Sequence, residues 1–184
     1  MKATLVIIAL LLATPCFAGQ GMGPGPGVKG YAASGCTGTI GNNATTDAGY
    51  YSTAANYLFL REITVSCSGT ATSISARLRL VDVDTREVVF VIYDSGGNRV
   101  WYGSNVYDAS TATVTQTVTV ACNYAFTAGT YRIGIMAEGN SRFYHSSATG
   151  ATSAYYSSSG FPTPPTTLPS ATAQTLDYEV WVTF

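Results

Sequence analysis

Aromatic side chains stand beside hydrogen-bonding side chains at two places in this chain. A flat aromatic face can stack on the C–H face of a pyranose, while amide and carboxylate groups hold the hydroxyls of the sugar. This mixture is therefore suited to binding a sugar ring. The candidate ligand-binding residues are Trp101, Tyr102, Asn105, Tyr155, Tyr156, Asp94 and Asn98.

Each candidate also has a structural interpretation. Trp101 could fill the core of the fold, because large aromatic side chains are usually well buried. The pair Tyr155-Tyr156 lies in a Ser-, Gly- and Pro-rich stretch, which we expect to be a long loop, and it could simply cover a sheet edge. Asp94 and Asn98 flank Ser95-Gly96-Gly97, a typical tight-turn sequence that predicts a hairpin.

Catalytic chemistry has little support in the sequence. The chain has one histidine, His145, and no G-x-S-x-G nucleophile elbow. A glycosidase needs two facing carboxylates, and the candidates are Asp177 and Glu179, on one face of the last strand, and Asp82 and Asp84, which flank a turn. Surface charges paired with Arg77 and Arg79 across strands explain them equally well. We therefore expect a protein that is not an enzyme.

Metal and cofactor binding are also weakly indicated. We expect no cofactor, and calcium is the alternative. Its oxygen ligands would come from Asp82 and Asp84 or from Asp94 and Asn98. Neither set matches an EF-hand loop, and turn hydrogen bonds explain both. No C-x-x-C pair or nearby histidine suggests a metal site at the cysteines.

The elements that would position these residues are strands. Between Thr111 and Ala137, valine alternates with threonine, and then Tyr131, Ile133 and Ile135 alternate with more polar or smaller residues. Such period-two alternation predicts half-buried antiparallel strands, whereas Val88–Ile92 is apolar on both faces and predicts a central strand. The predicted strands are Tyr57–Val65, Ala71–Val83, Val88–Tyr93, Arg99–Tyr102, Thr113–Ala121, Gly129–Met136 and Leu176–Phe184. Together they predict an all-β, antiparallel β-sandwich of jelly-roll type.

Three segments carry a resemblance to known proteins: SGTATSISARL, VVFVIYDSGGN and AFTAGTYRIGI. They resemble strand and turn motifs of secreted jelly-roll modules of the carbohydrate-binding, lectin-like type. The stretch Tyr155–Pro162 is similar to the Tyr- and Pro-rich loop before the final strand of those modules. The likeness covers about Ser66 to Phe184. It implies the fold strongly and glycan binding weakly, because such motifs belong to the scaffold.

The N-terminal residues have the composition of a targeting segment followed by a flexible tether. Residues 1–18 combine Lys2, an apolar run and small residues before Gly19, as in a signal peptide cleaved after Ala18. The run is short for a membrane span, and the residues before Cys16 do not fit a lipid-attachment site. Residues 19–30 form a Gly/Pro-rich flexible arm, and residues 31–184 form the β-sandwich domain. We expect a secreted or periplasmic protein without a membrane span.

Charge and cysteine content limit the partners. The net charge of -1 and the absence of a basic stripe argue against nucleic acid. Three cysteines remain after cleavage, and an oxidising compartment favours one disulfide. Cys67 and Cys122 each end a strand, so we predict a Cys67–Cys122 disulfide and a free or intermolecular Cys36.

These observations predict an exported, non-catalytic binding module that recognises glycans or surface polysaccharide through loop aromatics. The alternative is a structural subunit of an extracellular fibre or surface assembly. Cys36 and the flexible arm favour that alternative, because both offer ways to join chains as a homo-oligomer.

Overall fold

The segments with period-two alternation form β-strands in the computed structural model of this protein. It describes residues 35–44, 49–53, 57–80, 86–107, 115–138, 141–146, 153–157, 161–168, 172–174 and 176–184. Within the chain, Ala33–Phe184 forms one compact unit. The predicted signal peptide and Gly/Pro-rich arm lie outside the described residues.

The described residues form strands and no helix. In chain order the strands are β1 (Thr39–Gly41), β2 (Gly49–Thr53), β3 (Tyr57–Val65), β4 (Gly69–Thr70), β5 (Ser73–Leu80), β6 (Arg86–Tyr93), β7 (Arg99–Tyr107), β8 (Gln116–Ala121), β9 (Ala125–Phe126), β10 (Gly129–Ala137), β11 (Ser141–Ser146), β12 (Ser153–Ser157), β13 (Thr172–Gln174), β14 (Asp177–Tyr178) and β15 (Val180–Thr183).

Two antiparallel sheets and a small ribbon contain all of these strands. The front sheet has the order β1-β15-β5-β11-β14, with β8 also paired to β5 and β2 also paired to β11. The back sheet has the order β13-β12-β3-β10-β6-β7, and β4 pairs with β9. One hydrophobic core contains buried side chains from both sheets, including Leu78 and Val182 of the front sheet and Phe90 and Ile133 of the back sheet. The predicted all-β fold of packed antiparallel sheets is confirmed.

Strand β6 is central and buried on both faces, as its sequence predicts. Val88, Phe90 and Ile92 pack in the core between the sheets. Val89 and Val91 point the other way, into a second cluster on the outer face of the back sheet. Because both faces are covered, the strand can be apolar at every position from Val88 to Ile92.

The segment of residues 161–168 packs against that second cluster. Its Phe161 and Leu168 are half-buried against the cluster. The Tyr93 hydroxyl donates a hydrogen bond to the Pro165 carbonyl over 3.0 Å, and the Arg99 guanidinium donates one to the carbonyl of Pro164. These bonds fix the segment to the β6–β7 hairpin, so the outer face of the back sheet is partly closed by the chain itself.

The last predicted strand, Leu176–Phe184, is interrupted at Glu179. Its backbone N–H donates to the Tyr144 carbonyl over 3.0 Å, and its carbonyl accepts from the Arg77 N–H over 3.0 Å. Glu179 therefore joins β11 to β5 at the point where β14 ends and β15 begins. Tyr178, Val180 and Val182 are buried in the core, as their alternation predicts.

The predicted Cys67–Cys122 disulfide is wrong. Cys67 is bonded to Cys36, with 5.2 Å between the two Cα atoms. The Cys36 N–H donates to the Ser68 carbonyl over 3.1 Å, which holds the start of the described chain beside the loop after β3. Cys122 is a free, fully buried thiol in the core. Neither Cys36 nor Cys122 is therefore available to link chains.

Replacement of Gly134 tests the packing of β10 against β3. A Cβ atom at this position would lie 2.6 Å from Leu60 Cδ2 and 3.2 Å from Leu58 Cδ1. We expect Gly134→Ala to lower the free energy of unfolding by about 1–3 kcal/mol, because the back sheet must shift to accept the methyl group. Urea unfolding provides the measurement.

Gly129→Ala is the matched control on the same strand, since its Cβ would meet only Tyr131 Cε2 at 3.8 Å. We expect a change within about 0.5 kcal/mol. Equal effects of the two substitutions would contradict the close approach of the two strands at Gly134.

Thiol labelling tests the cysteine assignment in the protein that begins at Gly19. Burial raises the pKa of the Cys122 thiol, so the thiol stays neutral and shielded near pH 8. We expect iodoacetamide to label no cysteine in the native protein and Cys122 alone after unfolding without reductant. Mass spectrometry of the tryptic peptides identifies the site, and labelling of Cys36 under either condition would contradict the assignment.

Candidate functional site

Asp94 and Asn98 are both used to build the β6–β7 turn. Asp94 Oδ1 accepts a hydrogen bond from the Asn98 backbone N–H over 2.8 Å, and the Asn98 amide also donates to the carboxylate. The backbone N–H bond from Asn98 is the main reason that the pKa of Asp94 is lowered. Gly97 adopts a φ of +80°, which glycine tolerates without strain. The polar groups predicted to hold a ligand thus hold the turn.

Trp101 and Tyr102 lie on opposite faces of the back sheet, so they do not form one platform. Trp101 is half-buried and packs against the core between the sheets. Its indole lies over Gly103, where a Cβ atom would come within 2.9 Å of the ring. Tyr102 is 49% exposed on the outer face, with the Arg99 guanidinium carbon 4.5 Å from its ring centre.

The remaining candidates lie far from this pair or have another role. Asn105 donates its side-chain amide to the Thr119 carbonyl over 3.0 Å, which ties β7 to β8. The expected loop position of Tyr155 and Tyr156 is wrong, because both belong to β12 and pair with β3. Serine and tyrosine suit an extended strand as well as they suit a loop. Their side chains lie outside the described part of the structure.

Sheet order separates the two predicted aromatic sites. Strand β12 and strand β7 have β3, β10 and β6 between them in the back sheet. Four strand spacings of about 4.8 Å place the two sites about 19 Å apart. The seven predicted binding residues therefore do not converge on one site.

A different set of residues does converge, on the outer face of the front sheet. Ile74, Ala76 and Leu78 of β5 point into the core, so Arg77 and Arg79 point to the opposite face. Strand register places Arg142 of β11 directly opposite Arg79. The same register series places Tyr144 beside Arg77 and opposite Tyr50 of β2. We call these five residues the tyrosine–arginine face.

Ring contacts organise the tyrosine–arginine face. Tyr50 is 47% exposed, and the Arg142 guanidinium carbon lies 4.3 Å from its ring centre. Tyr50 meets Tyr144 edge to face, with ring centres 6.1 Å apart. Tyr144 is buried under the Arg77 guanidinium at 5.7 Å, and its hydroxyl accepts a 2.8 Å hydrogen bond from Thr115. These contacts fix two rings and two cations in one array.

Buried carboxylates lie next to this array. Glu179 is only 1% exposed, and its Oε2 pairs with Arg77 at 3.3 Å. Asp177 is 8% exposed and pairs with Arg61, which reaches across from the back sheet. Burial lowers the pKa of Arg61. The predicted pairing of Glu179 with Arg77 is confirmed, but the expected surface position of both carboxylates is wrong.

The tyrosine–arginine face offers one accessible aromatic ring flanked by guanidinium donors. Stacking and hydrogen bonding from such a set are the interactions that sugars use. The sequence carried a weak signal for it: the alternation Arg77-Leu78-Arg79 and the run Arg142-Phe143-Tyr144. The pairing of β11 with β2 and β5 brings these residues together, and neither sequence pattern indicates that pairing.

Metal and membrane sites are not indicated by the described residues. No group of three or more His, Cys, Asp or Glu side chains in the described ranges could hold a metal ion. The calcium candidates Asp82 and Asp84 lie outside those ranges. The described residues also contain no helix long and apolar enough to cross a membrane.

No family profile and no curated protein matches this sequence. Function must therefore be inferred from the chemistry of the residues themselves.

Replacement of Trp101 separates a core role from a binding role. Because the indole packs against the core and over Gly103, we expect Trp101→Ala to lower the free energy of unfolding by about 2–3 kcal/mol, below the cost for a fully buried Trp. Thermal unfolding gives the measurement. An unchanged melting temperature would contradict the core role and return Trp101 to the candidate binding residues.

Proposed function

We propose that this protein is an exported, non-catalytic module that binds glycans or cell-surface polysaccharide through the tyrosine–arginine face. The observation that carries the proposal is the Tyr50 ring, which is 47% exposed and held between the Arg142 guanidinium and the edge of Tyr144. An exposed aromatic ring that its neighbours already hold in place loses little conformational entropy when a ligand stacks on it.

The position of the face within the fold also suits a polymer. Strands β2, β11 and β5 lie side by side, so the tyrosines and arginines stand on a sheet and not on a loop tip. On the other side of β5, Thr117 of β8 pairs with Arg77 and extends the polar surface across the sheet. A sheet surface with hydrogen-bonding side chains across several strands can contact several sugar units in a row.

The chemistry beside the face favours binding over catalysis. A glycosidase needs one carboxylic acid and one free carboxylate on either side of the scissile bond. Here Glu179 pairs with Arg77 and Asp177 pairs with Arg61, and both carboxylates are buried. His145 Nδ1 is buried within the fold and has no hydrogen-bond partner in the described structure.

Export is supported by the Cys36–Cys67 disulfide, since such bonds persist in oxidising compartments. The exported protein would act outside the cytoplasm on a glycan partner. No cofactor enters this proposal.

Self-assembly is the second candidate function, and strand β7 favours it. Val100 and Tyr102 on β7 are among the large apolar side chains that are most exposed in the described residues. β7 is also a nine-residue strand at the end of the back sheet. A long edge strand is a template for pairing with another chain. A concentration-dependent mass in analytical ultracentrifugation that Tyr102→Ala abolishes would support assembly.

Two matched tyrosines test where a glycan binds. Tyr50 and Tyr102 are 47% and 49% exposed, and each has an arginine over its ring, but they lie on different sheets. We expect Tyr50→Ala to weaken binding roughly five- to twelvefold, because loss of ring stacking removes about 1–1.5 kcal/mol. We expect Tyr102→Ala to leave it unchanged.

The ligand for this test is the best binder from a glycan array, and the affinity is measured by isothermal titration calorimetry. Tyr50→Phe keeps the ring and should bind like the natural protein. Loss of binding in Tyr102→Ala alone would move the site to β7, and no binder on the array would contradict the proposed function.

A further inference from the structure

Like charges face each other on the tyrosine–arginine face. Arg142 and Arg79 are direct register partners on neighbouring antiparallel strands, and Arg77 lies two residues from Arg79 on the same face. Opposed like charges destabilise a sheet. A ligand that carries negative charge would offset the repulsion between Arg79 and Arg142.

The described structure supplies little opposite charge on this face. Among the described residues in and beside the front-sheet strands, the acidic ones are Asp177 and Glu179. Glu179 is buried against Arg77, and Asp177 pairs with Arg61 from the back sheet. Neither carboxylate is shown in an ion pair with Arg79 or Arg142, so in the described structure the charges of these two arginines are not balanced.

Arg142 provides a second, independent observation. Its Nε atom is buried and has no hydrogen-bond partner in the described structure. Its guanidinium is held over the Tyr50 ring at 4.3 Å, so the side chain is ordered before any ligand arrives. An ordered guanidinium binds a carboxylate or sulfate group in a planar, bidentate geometry.

We propose that the ligand is an acidic polysaccharide whose carboxylate or sulfate groups pair with Arg79 and Arg142 while a sugar ring stacks on Tyr50. This inference rests on the proposed function and specifies its substrate class. The acid groups neutralise the opposed arginines, and the stacked ring distinguishes a sugar polymer from other polyanions.

The test compares polymers of different charge on the protein that begins at Gly19. The probes are polygalacturonate, dextran sulfate, neutral dextran and double-stranded DNA, with binding measured by biolayer interferometry at low and high salt. We expect polygalacturonate or dextran sulfate to bind and to weaken as salt rises, because ion pairs at a surface are screened. The acid group is identified by which of the two binds more tightly.

Charge-matched variants locate the site. We expect Arg142→Gln and Arg79→Gln each to weaken binding about tenfold, since one charged hydrogen-bond set is lost in each. Arg132→Gln removes the same charge from the back sheet, where Arg132 pairs with Glu62 at 3.5 Å, and should leave the affinity unchanged. Arg142→Lys keeps the charge and should retain part of the affinity, and melting temperatures confirm that each variant is folded.

Three results would overturn the inference. The first is equal loss of affinity in Arg132→Gln, which would mean that only net charge matters. The second is DNA binding that is as tight as polysaccharide binding, with neither affinity changed by Tyr50→Ala. The third is a neutral glycan that binds through Tyr50 without any salt dependence, which would leave the proposed function intact and reject the acidic ligand.

Discussion

The pairing of buried carboxylates with arginines at the interrupted last strand is the constraint on which the rest of the structure depends. Asp177 and Glu179 are almost completely buried, and a buried carboxylate without a partner costs several kcal/mol. Arg61 from the back sheet meets Asp177, and Arg77 from the front sheet meets Glu179. The first pair joins the two sheets, and the second holds Arg77 over Tyr144. The contact between Arg77 and Tyr144 in the tyrosine–arginine face therefore depends on the ion pair with Glu179.

The outer faces of the two sheets have different chemistry. The outer face of the back sheet is apolar in its middle, where Val89, Val91 and Met136 are buried and residues 161–168 pack against them. The outer face of the front sheet carries arginines and tyrosines, which keep polar groups in contact with water while their apolar parts cover the strands. The second surface presents the aromatic and hydrogen-bonding groups on which the proposed sugar binding depends.

Much of the fold could be predicted from the sequence because its strands alternate or are fully apolar. Strand β3 has the predicted bounds, Tyr57–Val65, and Val88–Ile92 is buried on both faces as expected. The disulfide could not be predicted, since strand ends reveal no partner until the sheets are assembled. The site was missed for a related reason: Arg142 and Arg79 are far apart in sequence, and only the β11–β5 register makes them neighbours. For Trp101 the sequence leaves both a core role and a binding role open, because alternation within a strand does not say which face is buried.

The most direct test of the account is a map of backbone amide chemical shifts of the isotope-labelled protein titrated with its best-binding polysaccharide. If the tyrosine–arginine face is the binding surface, the largest shifts will lie in β2, β5 and β11, around Tyr50, Arg79 and Arg142. Strands β6 and β7 will change little. The largest shifts at Tyr102 and the Asp94–Asn98 turn would contradict the account and place binding on the back sheet.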